Sequence, residues 1–272
     1  MKEKICNNLK ILRAQKPLVL CLTNTVVTDF NANALLALGA LPVMSESRED
    51  VVEMVRGASA LYLNIGTLTK DLVDIMISGG QVANECGVPV ILDPVGVGAT
   101  AFRLNEALRI LENVKVDVLK GNPGEIEALL GVKSEMKGVE SIKTSSTPKD
   151  LCQEAGKKFN LVCAITGKKD FVSDGKLVFE LNNGVEMLNK VVGTGCTVGA
   201  FCGAFCGVDK DFVTASLSAL SLMSVAGELA EPISGSNPAT FKMELINSFY
   251  NIDENILLNR VNIKMSPLKQ GF

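Results

Sequence analysis

Histidine is absent from all 272 residues. That gap excludes an imidazole base, an imidazole metal ligand and a phosphohistidine intermediate. Proton transfer is left to carboxylates, cysteine, lysine, tyrosine or the substrate itself. None of the eight cysteines pairs in a C-x-x-C pattern, which removes the usual zinc and thioredoxin-like readings. No G-x-x-x-x-G-K-[ST] occurs, so phosphates are not held in a P-loop. A strong charge of either sign is missing too. A net charge of −3 and a pI near 5.3 give no general attraction for nucleic acid or an anionic membrane. The opening residues, MKEKICNNLKILRAQK, are polar and basic without an apolar centre, unlike a secretory leader or an anchor. The expected setting is a cytoplasm, with the thiols reduced.

What is present is a core. Hydrophobic residues make up 47% and charged residues 21%, ample for packing and too apolar for disorder. Short β-rich runs alternate with helix-length segments. Strands are expected at Pro17–Leu22, Leu41–Met44, Ala60–Ile65, Val88–Leu92, Val116–Leu119 and Leu161–Thr166. Helices are expected at Phe30–Leu38, Arg48–Arg56, Thr69–Glu85 and Phe102–Glu112. Apolar strands joined by helices imply a mostly parallel sheet with helices on both faces, an α/β three-layer fold. A weaker pair, Phe171–Val172 and Leu177–Phe179, flanks the hairpin signal Asp174-Gly175. No composition break or internal repeat divides the chain, so residues 1–272 are read as a single domain. The stretch Lys133–Lys149 is the most loop-like. Val191–Val208 carries no charge, with Gly199, Gly203 and Gly207 at the spacing of close-packed membrane helices. Its Gly-rich start leaves too few helical residues to span a bilayer, so it is read as a buried helix approached closely by a neighbour.

Three features could carry chemistry. Gly193-Thr194-Gly195-Cys196 opens that apolar helix. Its glycines free the backbone to turn successive N–H groups toward one point, and the helix start adds unpaired donors for an anion. The alternative is a tight turn that only begins a helix. Asp93-Pro94 follows one strand, and Lys120-Gly121-Asn122-Pro123-Gly124-Glu125 follows the next. Ligands of parallel sheets bind at such carboxyl ends. Singly, Asp93 reads as a loop residue and Glu125 as a helix-start acid. Jointly, two acids and a lysine at neighbouring strand ends look like a Mg²⁺–phosphate site, with both acids expected within reach of solvent. A competing signal is Gly96-x-Gly98-x-x-Ala101 with Asp117 downstream, a formal dinucleotide fingerprint interrupted by Asp93-Pro94. Asn24 follows the first strand and Met44 ends the second. Asn24 suits a polar heterocycle atom or a turn, Met44 a soft apolar contact or the core.

These segments fit one template. Leu22-Thr23-Asn24, the run Asn31–Ala40 and Pro42-Val43-Met44 resemble the N-terminal signature of hydroxyethylthiazole kinases. Leu92–Gly96 with Gly98-Ala99, Gly121-Asn122-Pro123-x-Glu125-Ile126, Ile165-Thr166-Gly167 and Gly193–Cys196 follow in that family's order, over roughly residues 15–250. The later blocks are similar to those of the wider ribokinase-like superfamily. The resemblance implies a ribokinase-like fold and transfer of the ATP γ-phosphoryl group to the alcohol of 4-methyl-5-(2-hydroxyethyl)thiazole, a thiamine salvage step. It also implies a homotrimer with active sites between subunits. By position, Met44 and Gly193 match thiazole contacts, with Asn24 and Thr25 beside them. Lys120 and Thr166 match ATP contacts, and Asp93 and Glu125 match the Mg²⁺-side acids. Cys196 stands where related sugar and vitamin kinases carry an aspartate base. Lys120 replaces the family's more frequent arginine, so a bidentate fork becomes a point charge. The rival activities are a kinase of pyrimidine or pyridine alcohols, a nicotinamide-dependent oxidoreductase, and a ligand-binding regulator without turnover.

Overall fold

The structure is a computed structural model and describes residues 1–131 and 147–266. The strands are β1 (Leu18–Leu22), β2 (Leu41–Met44), β3 (Ala60–Asn64), β4 (Val90–Asp93), β5 (Val118–Gly121), β6 (Val162–Ile165), β7 (Asp170–Ser173), β8 (Val178–Leu181) and β9 (Ile263–Ser266). They form one sheet in the order β2-β1-β3-β4-β5-β6-β7-β8-β9. Pairing is parallel from β2 across to β6 and antiparallel from β6 to β9.

Successive strand residues point to opposite faces, and each face has its own core. Val19, Cys21, Tyr62, Ile91 and Val118 pack on one side under α1 (Lys2–Gln15), α2 (Thr28–Leu38), α8 (Thr194–Val208), α9 (Phe212–Ser234), α10 (Pro238–Asn251) and α11 (Glu254–Arg260). Leu20, Leu22, Leu61, Leu63, Leu92 and Leu119 face the other side. They are covered by α3 (Arg48–Met54), α4 (Lys70–Cys86), α5 (Ala101–Asn113), α6 (Pro123–Leu130) and α7 (Pro148–Phe159). The three-layer, mostly parallel arrangement expected from the sequence is therefore present.

Strands β4 and β5 run further toward the site than their expected apolar runs do. Pairing of β3 with β4 continues to Asn64 opposite Asp93, and β5 extends through Lys120 to Gly121. Asp93 and Lys120 are thus strand residues, not loop residues. Asp93 is fully buried, which corrects the expectation that both acids lie within reach of solvent. The expected hairpin forms around Asp174, whose carboxylate accepts from the Lys176 and Leu177 amides. Among the elements outside the strand–helix alternation read from the sequence are α1 and β9.

The glycines of α8 meet the sheet. A Cβ at Gly199 would lie 2.5 Å from the Tyr62 ring, one at Gly203 3.0 Å from Val19, and one at Gly207 2.9 Å from Ser59. Among the described residues, only α9 is long and apolar enough to cross a membrane, and 78% of its apolar window is buried in the fold. Of the stretch Lys133–Lys149, residues 133–146 lie outside the described residues. Thr147 caps α7 by accepting from the Asp150 amide.

Candidate active site

From β1 the chain moves to β2 on one side and to β3 on the other, so a crevice opens at the carboxyl ends of β1 and β3. The residues delivered there are polar at the ends of otherwise apolar parallel strands: Asn24 just beyond β1, Asn64 on β3, Asp93 on β4 and Lys120 on β5. The first turn of α8 closes over them.

Their side chains form one network. Lys120 Nζ lies 3.4 Å from Asp93 Oδ2, which also accepts from the Tyr62 hydroxyl at 3.0 Å and from Asn64 Nδ2 at 3.3 Å. Asn24 Nδ2 donates to Asn64 Oδ1 at 2.8 Å and reaches Cys196 Sγ at 3.6 Å. Asn24 Oδ1 accepts from the Val26 amide, so this side chain is both a turn residue and a network member. Asp93 Oδ1 is buried with no hydrogen-bond partner. Buried polar atoms are usually satisfied, so this oxygen retains acceptor capacity that the protein itself does not use.

Burial pushes the Asp93 carboxyl up, Lys120 opposes this, and Glu125 adds to it. Burial would lower the Lys120 ammonium, but Asp93, Cys196 and Glu125 outweigh it and hold the charge. The Cys196 thiol is pushed up by burial and by Asp93, against the pull of Lys120. The sulfur therefore sits at the helix start as a neutral thiol.

Gly193 takes the left-handed region, with φ of 101°, and α8 begins at Thr194. A Cβ at Gly193 would stand 2.9 Å from Val27, and one at Gly195 3.3 Å from Lys120 Nζ. The ammonium thus lies against Gly195 in the first turn of α8, so its charge stands close to the positive end of that helix. On one side of the loop is a cleft of about 530 Å³ lined by Asn122, Thr166, Gly167, Thr194, Gly195 and Asp170, among others. Thr166 belongs to this cleft, whereas Lys120 lies beneath the loop. On the other side are the start of α2, which Gly193 touches, and exposed Thr25, whose amide donates to Thr67 Oγ1. Met44 ends β2, half-buried against the core.

Glu125 does not point freely at the crevice. Its Oε1 accepts from the Gly96 amide at 2.9 Å and its Oε2 from the Asn122 amide at 2.8 Å, while Asn122 Oδ1 accepts from the Glu125 amide. This capping box fixes both the start of α6 and the turn after β4. The same turn disposes of the dinucleotide fingerprint. Gly98 is packed against Ala128 and the Gly124 carbonyl, and Asp117 caps the Val90 amide at the opposite end of the strands.

Tyr62, Asn64, Asp170 and Ser224 did not emerge from the sequence. Asn64 carried a usable signal, being a polar residue at the end of an apolar strand like Asp93. Asp170 carried none. Its Oδ1 accepts from the Gly167 amide and its Oδ2 from Ser224 Oγ on α9, and burial pushes the carboxyl up to about 7.

The profile described as the Hydroxyethylthiazole kinase family matches residues 9–255. The chain is 42% identical over 267 residues to a hydroxyethylthiazole kinase of Exiguobacterium, covering 98% of this chain and all of that one. It is 43% identical to another from Thermoanaerobacter pseudethanolicus, covering 94% of this chain and 97% of that one. A solved hydroxyethylthiazole kinase structure from Pyrococcus horikoshii OT3 superposes with a TM-score of 0.89 at 42% identity, over 97% of this chain and 99% of that one. A pyridoxal kinase from Staphylococcus aureus, solved with pyridoxal, shares the fold with a TM-score of 0.60 at 16% identity, over 92% and 98% of the two chains.

Proposed function

Because this chain belongs to the hydroxyethylthiazole kinase family, we propose that the ATP γ-phosphoryl group passes to the hydroxyl of 4-methyl-5-(2-hydroxyethyl)thiazole at the Asp93–Lys120–Cys196 cluster. The alcohol oxygen bonds to the γ-phosphorus, the bond to the β–γ bridging oxygen breaks, and ADP leaves. The observation that carries the placement is the ammonium of Lys120 lying against Gly195 in the first turn of α8, beside a buried acid. Phosphoryl transfer needs positioning and charge stabilisation above all, and this pairing supplies both.

ATP occupies the cleft lined by Thr166, with its terminal phosphate reaching Gly195 and Lys120. The thiazole lies on the far side of the loop, between Gly193, Met44 and the Asn24–Thr25 turn. Cys196 holds the alcohol through its sulfur. As a neutral thiol it orients the hydroxyl, and in a loose transfer the proton departs late, to the phosphoryl oxygens.

The acids fit a cation held through water. No three acids or cysteines converge among the described residues, and both Glu125 oxygens already accept amides. Asp93 Oδ1, however, is unpartnered and feels the charge of Glu125. A hydrated Mg²⁺, which keeps several of its waters, suits such a donor set. When bound it neutralises phosphate charge. Asp93 and Glu125 would hold it through its waters.

The assembly proposed is a homotrimer with sites between subunits. Val26 and Val192, beside the Gly193 turn, are 67% and 71% exposed, and Leu41 on edge strand β2 is also exposed. A partner would cover apolar surface next to the acceptor side. A single domain in the cytoplasm agrees with one continuous sheet and eight free thiols.

The test is ADP release, with Mg²⁺, across a panel of thiazole, pyrimidine and pyridine alcohols. The thiazole alcohol is expected to be the best acceptor. Equal or faster turnover of a pyridine or pyrimidine alcohol would overturn the assignment.

A further inference from the structure

Tyr62 stands out among the buried polar groups because nothing in the reaction needs an aromatic ring there, yet the fold is shaped around it. It sits in the middle of β3, fully buried, with its ring on the α8 side of the sheet. Gly199 of α8 has given up its side chain to that ring, since a Cβ there would come within 2.5 Å of it. This close approach carries the phenol oxygen to the junction of two functional elements. The hydroxyl is 2.8 Å from the Cys196 carbonyl oxygen in the first turn of α8 and 3.0 Å from Asp93 Oδ2 on β4. Asn64 Nδ2 donates to the phenol oxygen at 2.7 Å. With its lone pair so engaged, the phenol's one proton faces two acceptors.

We propose that Tyr62 is a positioning residue that locks the first turn of α8 in register with Asp93 and Lys120. This rests on the placement of phosphoryl transfer at that cluster. The opening amides of α8 belong to a helix whose other polar contacts with the strand ends are the reach of Asn24 Nδ2 to the Cys196 sulfur at 3.6 Å and the approach of Lys120 to Gly195. The phenol adds a directional tie, from the sheet that bears the charged groups to the carbonyl of the residue whose sulfur faces the acceptor. Electrostatic stabilisation of a transferring group depends on such pre-set geometry, and small misplacements are costly in rate. Burial and the Asp93 charge push the phenol upward, so it stays a neutral donor. The hydroxyl is also dispensable to the core. Without it, Asp93 Oδ2 keeps Asn64 and Lys120, and the Cys196 carbonyl keeps its place in the helix ladder.

The experiment compares Tyr62→Phe with wild type using the best acceptor of the panel, so failure of the thiazole assignment is read separately from the wild-type acceptor ranking. The variant is expected to lose about ten-fold or more in kcat while the KM values for ATP and acceptor change by less than about three-fold. Thermal melting establishes that it is folded at the assay temperature. A purely structural role would lower the melting temperature and leave kcat alone. A folded Tyr62→Phe enzyme with kcat within about two-fold of wild type overturns the proposal. Should that variant not fold, the two-tyrosine sequence offers a second readout. In Tyr250→Phe protein made with 3-fluorotyrosine, the single ¹⁹F resonance reports Tyr62. It is expected to shift when ADP, Mg²⁺ and acceptor fill the site, and an unmoved resonance overturns the proposal.

Discussion

Two side chains near the cleft separate charge from geometry. Cys196 holds a neutral sulfur at a helix start, above Lys120 and near Asp93. Replacing it with alanine removes the group that orients the alcohol. The expected loss is about 10- to 100-fold in kcat with KM little changed, since the loss falls in the transition state. Cys196→Asp is expected to retain substantial activity, because the α8 N-terminus and Lys120 both favour a carboxylate there. Steady-state kinetics on both variants decide the matter, and an active alanine form beside a dead aspartate form rules the role out. Asp170 tests burial instead. Its folded value, raised to about 7 from 3.8, makes a contribution fully present below pH ~4 and lost as pH rises through about 7. Asp170→Asn removes that dependence. Its melting temperature relative to wild type should therefore climb between pH 4 and 7 and level off above. The upper bound is on the order of 4 kcal/mol, at about 1.4 kcal/mol per unit. A difference that does not vary with pH would show that Asp170 is not held against its charge.

Helices here are fixed by what they touch more than by their own propensities. Gly156 lies inside α7, where alanine would normally gain about 1 kcal/mol over glycine. A Cβ there, however, would come within 2.6 Å of the Gly175 backbone nitrogen in the β7–β8 turn. Backbone cannot swing aside as a flexible side chain can, so overpacking wins. Gly156→Ala is expected to destabilise by about 1–3 kcal/mol, read as a lower denaturant midpoint. A higher midpoint would mean that the turn yields. Element identity was legible wherever period and flanking turns agreed, as in α4 between its Thr69 cap and Gly87. Ends were less legible. Residues Asp93 and Lys120 are polar, and the expected strands stop before them, although the ladder does not. The helix α1 and strand β9 escaped because their faces are completed by distant partners, α11 and β8.

At the scale of the molecule, the exposed apolar residues around the Gly193 turn and edge strand β2 call for a covering surface. Light scattering at micromolar concentration is expected to report about three times the 28.9 kDa chain mass. A monomer there would refute the trimer. The sequence by itself determined the layered α/β class, the exclusion of histidine chemistry and of a P-loop, and the strand-end acids, lysine and glycine loop that suggest phosphoryl transfer. Each of these depends on residue type, period or local spacing, which survive without coordinates. Only the tertiary structure decided that Asp93 is buried and half-unpartnered, that Glu125 is occupied with amides, that Cys196 is a neutral thiol, and that Tyr62 and Asp170 belong to the site. Those properties arise from desolvation and from contacts between segments tens to hundreds of residues apart, such as Tyr62 with Cys196 and Asp170 with Ser224. Desolvation is set by everything that packs around a group, and no local stretch of sequence contains it.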